Sequence, residues 1–190
     1  LLTTGNSPRM SRTLLRTASP LLVIGFVSLV VAWIIWPSET RTLELEEKSA
    51  YSHIRVRREG NHRTLLFVRD NGQEVTESKV DMESPHQLQL PYARVMFASY
   101  FMVPRPGRVL IIGLGGGSMV HFLQHHEPDL HIDVVEIDPA VVRIAGDFFG
   151  VRTGGNVRIL TEDAFAYFER CSELYDVIYM DAFLKPSKET

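Results

Sequence analysis

Thiols are nearly missing from this chain. Cys171 is the one cysteine in 190 residues, so neither an internal disulfide framework nor a multi-cysteine metal site can form within it. A basic excess is missing too. Lys and Arg total 20 against 23 Asp and Glu, a net charge of -3, so no field for nucleic acid is implied. No internal repeat and no low-complexity tract occurs. His121 and His125 fall four apart on one helical face, but no third metal ligand stands nearby in sequence; they read as a solvated pair and no metal is expected. What remains is ordinary globular material, 45% hydrophobic and 23% charged. An initial methionine is also lacking. Met10-Ser-Arg is an alternative start, which would make the first nine residues a matter of start-site choice.

Charge disappears altogether from Ala18 to Trp36, about 19 residues, near the ~20 needed to span a bilayer. Pro37 closes the run, and Trp33 and Trp36 suit a membrane interface. The Trp-Ile-Ile-Trp-Pro end lacks the small residues of a signal-peptide cleavage site. The expectation is a polar basic segment over 1–19, an uncleaved transmembrane anchor over 20–36 and a charged linker over 37–50. Arg9, Arg12 and Arg16 precede the helix, and Glu39, Glu44, Glu46 and Glu47 follow it. The positive-inside rule then puts the following domain on the extracytoplasmic side, at odds with a cofactor made in the cytoplasm.

Tyr51–Arg57 alternates as a half-buried strand does, and Arg63–Val68 is a second strand. Asp70-Asn71-Gly72 is a hairpin turn signal, with Gln73–Ser78 as the returning strand. Tyr92–Met102 reads as a helix. A small antiparallel hairpin domain with a connecting helix is therefore expected over 51–103. From 104 to 190 apolar runs alternate with helical patterns. Val109–Ile112, a continuous apolar run, reads as a strand covered on both faces, and Ile132–Ile137, Val157–Leu160 and Tyr175–Asp181 read as further strands. This is an α/β, Rossmann-like arrangement. Four strands are fewer than an open doubly wound sheet usually holds, so the expectation is a C-terminally truncated, incomplete domain.

The chemistry gathers at the strand ends. Gly113-Leu-Gly115-Gly-Gly117 allows a tight turn and close approach of a ligand over a helix N-terminus. The position of the third glycine of a dinucleotide fingerprint holds Ser118 instead. Glu136 ends the second strand, where a carboxylate can accept both hydroxyls of a ribose; Asp138 before Pro139 reads as a helix N-cap. Asp163 and Ala164 follow the third strand, suited to an adenine amino group and ring nitrogen, though a simple N-cap also explains Asp163. An acid after strand three favours an adenosylmethionine-type pocket over a dinucleotide one. Asp181 follows a wholly apolar strand at the same edge, where it can hold or deprotonate an amine, or merely cap the strand.

Taken together, the hairpin sheet, Val109-Leu-Ile-Ile-Gly-Leu-Gly-Gly-Gly-Ser118, Val134-Val-Glu-Ile-Asp-Pro139, Glu162-Asp-Ala-Phe-Ala-Tyr-Phe168 and Tyr175-Asp-Val-Ile-Tyr-Met-Asp-Ala182 resemble the spermidine synthase (polyamine aminopropyltransferase) family. The likeness is greatest to its membrane-associated bacterial branch and covers about residues 50–186. It implies a class I methyltransferase fold behind a small β domain, with decarboxylated S-adenosylmethionine as donor and a small-molecule amine such as putrescine as acceptor. By position it implies Glu136 on the ribose, Asp163 and Ala164 on the adenine, and Asp181 as catalytic acid/base. Gln73, or its neighbour Glu74, stands near where the family's β domain offers a cofactor-binding Gln. A homo-oligomer is a further expectation.

Three family features differ. The glycine loop usually carries an Asp, and here it carries none. The Asp-Glu-x-x-Tyr-His-Glu stretch is matched only by Asp81-Met-Glu-Ser-Pro-His86-Gln, without the Tyr. After Asp181 the second acid of Asp-Ser-x-Asp-Pro is replaced by Leu184. Two alternatives stay open: a methyltransferase using S-adenosylmethionine itself, and a catalytically degenerate nucleoside-binding domain.

Overall fold

The structure, a computed structural model, describes residues 40–182. The basic segment 1–19 and the expected anchor over 20–36 lie outside the described residues. Among the described residues, no helix is long and apolar enough to cross a membrane.

Four strands form an antiparallel meander in the order β1-β2-β3-β4: β1 Thr42–Lys48, β2 His53–Glu59, β3 His62–Val68 and β4 Glu74–Asp81. Ile54, Val56, Leu65 and Val80 are fully buried on its inner face. β1 corrects the expectation of a linker over 37–50. Its Thr-Leu-Glu-Leu-Glu-Glu-Lys sequence has poor strand propensity, but β2 and β3 supply partners. Glu46 pairs with Arg55 and His53, both at 2.8 Å, and Glu44 pairs with Arg63 at 2.7 Å. Opposite charges on facing strands stabilise such a pairing. The expected helix over 92–102 is shorter. It forms α1 Pro91–Met96, with Pro at its first turn, and then tightens into a 3-10 segment Phe97–Phe101.

The second sheet is parallel, in the order β7-β6-β5-β8, with β5 Arg108–Ile112, β6 His131–Glu136, β7 Val157–Thr161 and β8 Val177–Met180. Helices α2 Ser118–His126, α3 Pro139–Phe149 and α4 Ala164–Arg170 make the crossovers. Val109–Ile112 are all buried, as a strand covered on both faces requires. Asp133 on β6 is buried in this sheet and fully engaged. It accepts from Arg158 Nε and Nη2 at 2.9 Å and from Tyr175 Oη at 2.7 Å, with Arg108 Nε at 3.2 Å. Burial opposes its ionisation, but these donors outweigh it and hold the carboxyl below the usual range.

Strands β5, β6 and β7 progress one way, and the chain then returns to place β8 on the other side of β5. The strand order reverses between β5 and β8, and ligands of open α/β sheets bind outside such a reversal point. Both sheets lie in one compact unit, so the antiparallel meander can supply groups to that crevice.

Candidate active site

The glycine loop follows β5 at the reversal point. Gly113, Gly115 and Gly117 have φ of 96°, 54° and 71°, left-handed conformations that favour glycine. Space imposes the same choice. A Cβ on Gly113 would lie 2.4 Å from the backbone oxygen of Asp181, and one on Gly117 2.3 Å from Val151 Cγ2. A Cβ on Gly115 would lie 2.5 Å from Ser78 Oγ. The loop is thus wedged between the ends of β5 and β8 and against β4.

Its amides are largely spent internally. Gly113 N–H donates to the Val135 carbonyl, Leu114 N–H to Glu136 Oε2 at 2.9 Å, Gly116 N–H to Ser78 Oγ at 2.8 Å and Gly117 N–H to the Leu114 carbonyl. A pyrophosphate cradle uses several free amides at once, and four of this loop's are already engaged.

Glu136 is nearly buried. Its Oε2 takes the Leu114 amide and its Oε1 the Asp138 amide at 2.9 Å. Burial pushes its carboxyl up, against the pull of the Asp138, Leu114 and Ile137 amides. Each oxygen keeps a second lone pair, so hydroxyl donors can still be accepted. Asp138 caps α3 through the Ala140 amide, as expected, and its other oxygen accepts from Ser49 in the β1–β2 turn at 2.5 Å. Asp163 is exposed and caps α4, with Oδ1 accepting from the Phe165 amide at 2.7 Å and the Ala166 amide at 3.2 Å. Ala164, half-buried, opens that helix at the same sheet edge.

Asp181 directly follows β8, beside Gly113. Burial raises its pKa to about 6, partly offset by a hydrogen bond from Tyr92. The Tyr92 hydroxyl lies 3.4 Å from Asp181 Oδ2 and 3.2 Å from the Glu77 carbonyl. Burial and the neighbouring Asp181 raise the phenol pKa well beyond its usual value, so it is a proton donor and not a phenolate. A second carboxyl, Glu77 on β4, is 5% exposed. Burial first, then Asp181, raise its pKa to about 7.

Of the residues expected from sequence, the glycine loop, Glu136 and Asp181 come together at the reversal point. Gln73 does not join them. It is exposed in the β3–β4 turn, where its amide N–H donates to Asn71 Oδ1 and its side-chain oxygen accepts from Arg69. Glu74 is held by Arg55 and Arg57 on the sheet face. His86 is no substitute for the family tyrosine, because its ring stacks on His125 at 3.7 Å. His121 bonds the Phe149 carbonyl, and among the described residues no cluster could hold a metal ion. Sequence reading missed Tyr92, Glu77 and Ser78. Pro91-Tyr92 at a helix start was a visible signal, but two adjacent polar residues in a strand gave none.

The family model for the spermine/spermidine synthase domain matches residues 93–188. The polyamine aminopropyltransferase of Vibrio vulnificus is 37% identical over 145 residues, 75% of this chain and 48% of that protein. That of Chromobacterium violaceum is 32% identical over 135 residues, 70% of this chain and 50% of that protein. The chain spans about half the length of the curated relatives it matches. A solved structure described as a probable spermidine synthase, from Corynebacterium glutamicum, shares the fold. Its TM-score is 0.61 at 23% identity, over 73% of this chain and 52% of that one.

Proposed function

Because the chain belongs to the spermine/spermidine synthase family, we propose that it moves an aminopropyl group from decarboxylated S-adenosylmethionine to an amine such as putrescine. The observation that carries this reading is the half-buried Asp181, hydrogen-bonded by Tyr92 at the strand-reversal point and packed against Gly113 of the glycine loop. Glu136 would receive the ribose hydroxyls. The Oδ2 of Asp163, which has no role in the α4 cap, would take the adenine amino group, with the Ala164 amide beside it.

The donor supplies a carbon made electrophilic by an adjacent sulfonium. Attack needs a neutral amine nitrogen, and an amine in water at neutral pH is charged. Asp181, with its pKa raised to about 6, is basic enough to accept a proton from a bound ammonium and ionised enough at pH 7 to attract one. Tyr92 keeps that carboxylate oriented by its hydrogen bond.

Calorimetry on the full-length protein with both donors tests the class of reaction. Tight binding of the decarboxylated donor supports aminopropyl transfer. Preference for the carboxylated donor would instead favour methyl transfer, a reading to which the acid-free glycine loop lends some support. Binding of neither would point to a degenerate domain. Asp181→Asn should lower aminopropyl transfer by about 10²–10⁴-fold while leaving donor affinity unchanged, and normal turnover would remove Asp181 from the base role.

The uncharged run over 20–36 supports a single-pass membrane anchor ahead of this domain, with the arginines before it favouring an extracytoplasmic domain.

A further inference from the structure

The β3–β4 pairing carries one residue too many on β4. Leu65 faces Ser78 and Leu66 faces Thr76, so Glu77 is the extra residue of a β-bulge. A regular strand turns successive side chains to opposite faces. Here Glu77 and Ser78, adjacent in sequence, are both buried, 5% and 4% exposed. Ser78 goes to the glycine loop, where it accepts the Gly116 amide at 2.8 Å. The Glu77 carbonyl, at the bulge, accepts from Tyr92 at 3.2 Å, and the same hydroxyl reaches Asp181.

The Glu77 carboxyl is left with a buried oxygen, Oε2, that has no hydrogen-bond partner among the described residues. The charged groups that act on it are Asp181 from the end of β8, which opposes its ionisation, and Arg69 after β3, which favours it. Tyr92 from α1 is committed to other acceptors. A buried carboxyl without a donor is costly in the resting protein. A cation brought by a ligand would relieve that cost, and so would a second acid's like charge being neutralised beside it.

We propose that Glu77 is a binding residue for the acceptor amine, taking an N–H of its ammonium group together with Asp181. This rests on the aminopropyl-transfer reading and deepens it. The glycine loop of this chain lacks an acid, and the position after Asp181 lacks another. The bulge supplies a carboxylate from the opposite sheet instead. Two carboxylates on one nitrogen replace much of the hydration of an ammonium ion. They also select a cationic amine over a neutral acceptor of similar shape.

The test uses the full-length protein with 1,4-diaminobutane and the decarboxylated donor. Glu77→Gln should raise KM for the diamine at least tenfold, change kcat less than threefold and leave donor affinity unchanged. Glu77→Asp should recover part of the loss. Because glutamine is nearly isosteric and removes a buried acid, the variant should melt no lower than wild type at pH 8. An unchanged KM overturns the proposal, as does a variant that melts lower and loses donor and amine affinity alike. If the wild type transfers no aminopropyl group but binds 1,4-diaminobutane at least tenfold more tightly than Glu77→Gln, the transfer reading fails and the amine site stands.

Discussion

Glu77 and Asp181 are acids that the fold makes weaker. The Glu77 carboxyl moves from 4.5 to about 7 and the Asp181 carboxyl from 3.8 to about 6. The folded state therefore holds more protons than the unfolded chain between roughly pH 4 and pH 7, and stability falls as pH rises through that window. Replacing Glu77 by Gln removes its share. The wild type should lose about 2–3 kcal/mol more than Glu77→Gln between pH 4.5 and pH 8, as denaturant titrations at the two pH values would measure. Parallel losses in the two proteins would mean that Glu77 ionises freely in the fold. Catalysis has the opposite sign. Only ionised carboxylates attract an ammonium and accept its proton, so kcat/KM should climb across the range where stability declines. Strain of this kind, in which a fold holds charge at some cost to itself, is common where chemistry is done.

The loop after β5 is the element on which this geometry depends. Its glycines serve two purposes that are separable by experiment. Gly113 combines positive φ with a backbone contact to Asp181, whereas Gly150 has φ of 75° at the end of α3 and nothing within 4 Å of an added Cβ. Gly150→Ala should cost about 1 kcal/mol, the strain of a left-handed alanine. Gly113→Ala must also push the end of β8 away, so it should lower Tm by more than the about 2–4 °C that 1 kcal/mol represents in a chain of this size. It should abolish transfer, because Asp181 moves with the strand. Thermal melts and assays of the two variants check this, and equal effects would show that the Asp181 contact carries no weight. The β4 bulge is the second such element. It turns one residue toward the loop and the next toward the amine, which a flat strand could not do.

At the scale of the whole molecule, the meander and the α/β sheet share one apolar core, in which Ile54, Val56, Leu65 and Val80 join Val109, Ile111 and Val134, and a few polar contacts add to it. Ser49 meets Asp138 at the start of α3, Ser78 meets Gly116, and the Arg63 Nη1 donates to the Phe148 carbonyl at 2.5 Å. A reporter fused after Thr190 should remain with membranes in high salt and be active on the extracytoplasmic side; activity on the cytoplasmic side would reverse the orientation, and release by salt would remove the anchor. Sequence alone determined what depends on local pattern. Apolar runs read as buried parallel strands, Asp70-Asn71-Gly72 as a hairpin, Asp138 as a cap, and the glycine loop with Glu136 and Asp181 as one sheet edge. Periodicity and turn chemistry are properties of neighbouring residues, so they survive without the fold. β1 was not legible, because the partners of its glutamates, Arg55, His53, Arg63 and Arg143, lie on other elements of the fold. Nor was the amine side of the site. Tyr92, Glu77 and Asp181 are separated by up to 104 positions, and only the bulge and the packing of the meander against the parallel sheet bring them together.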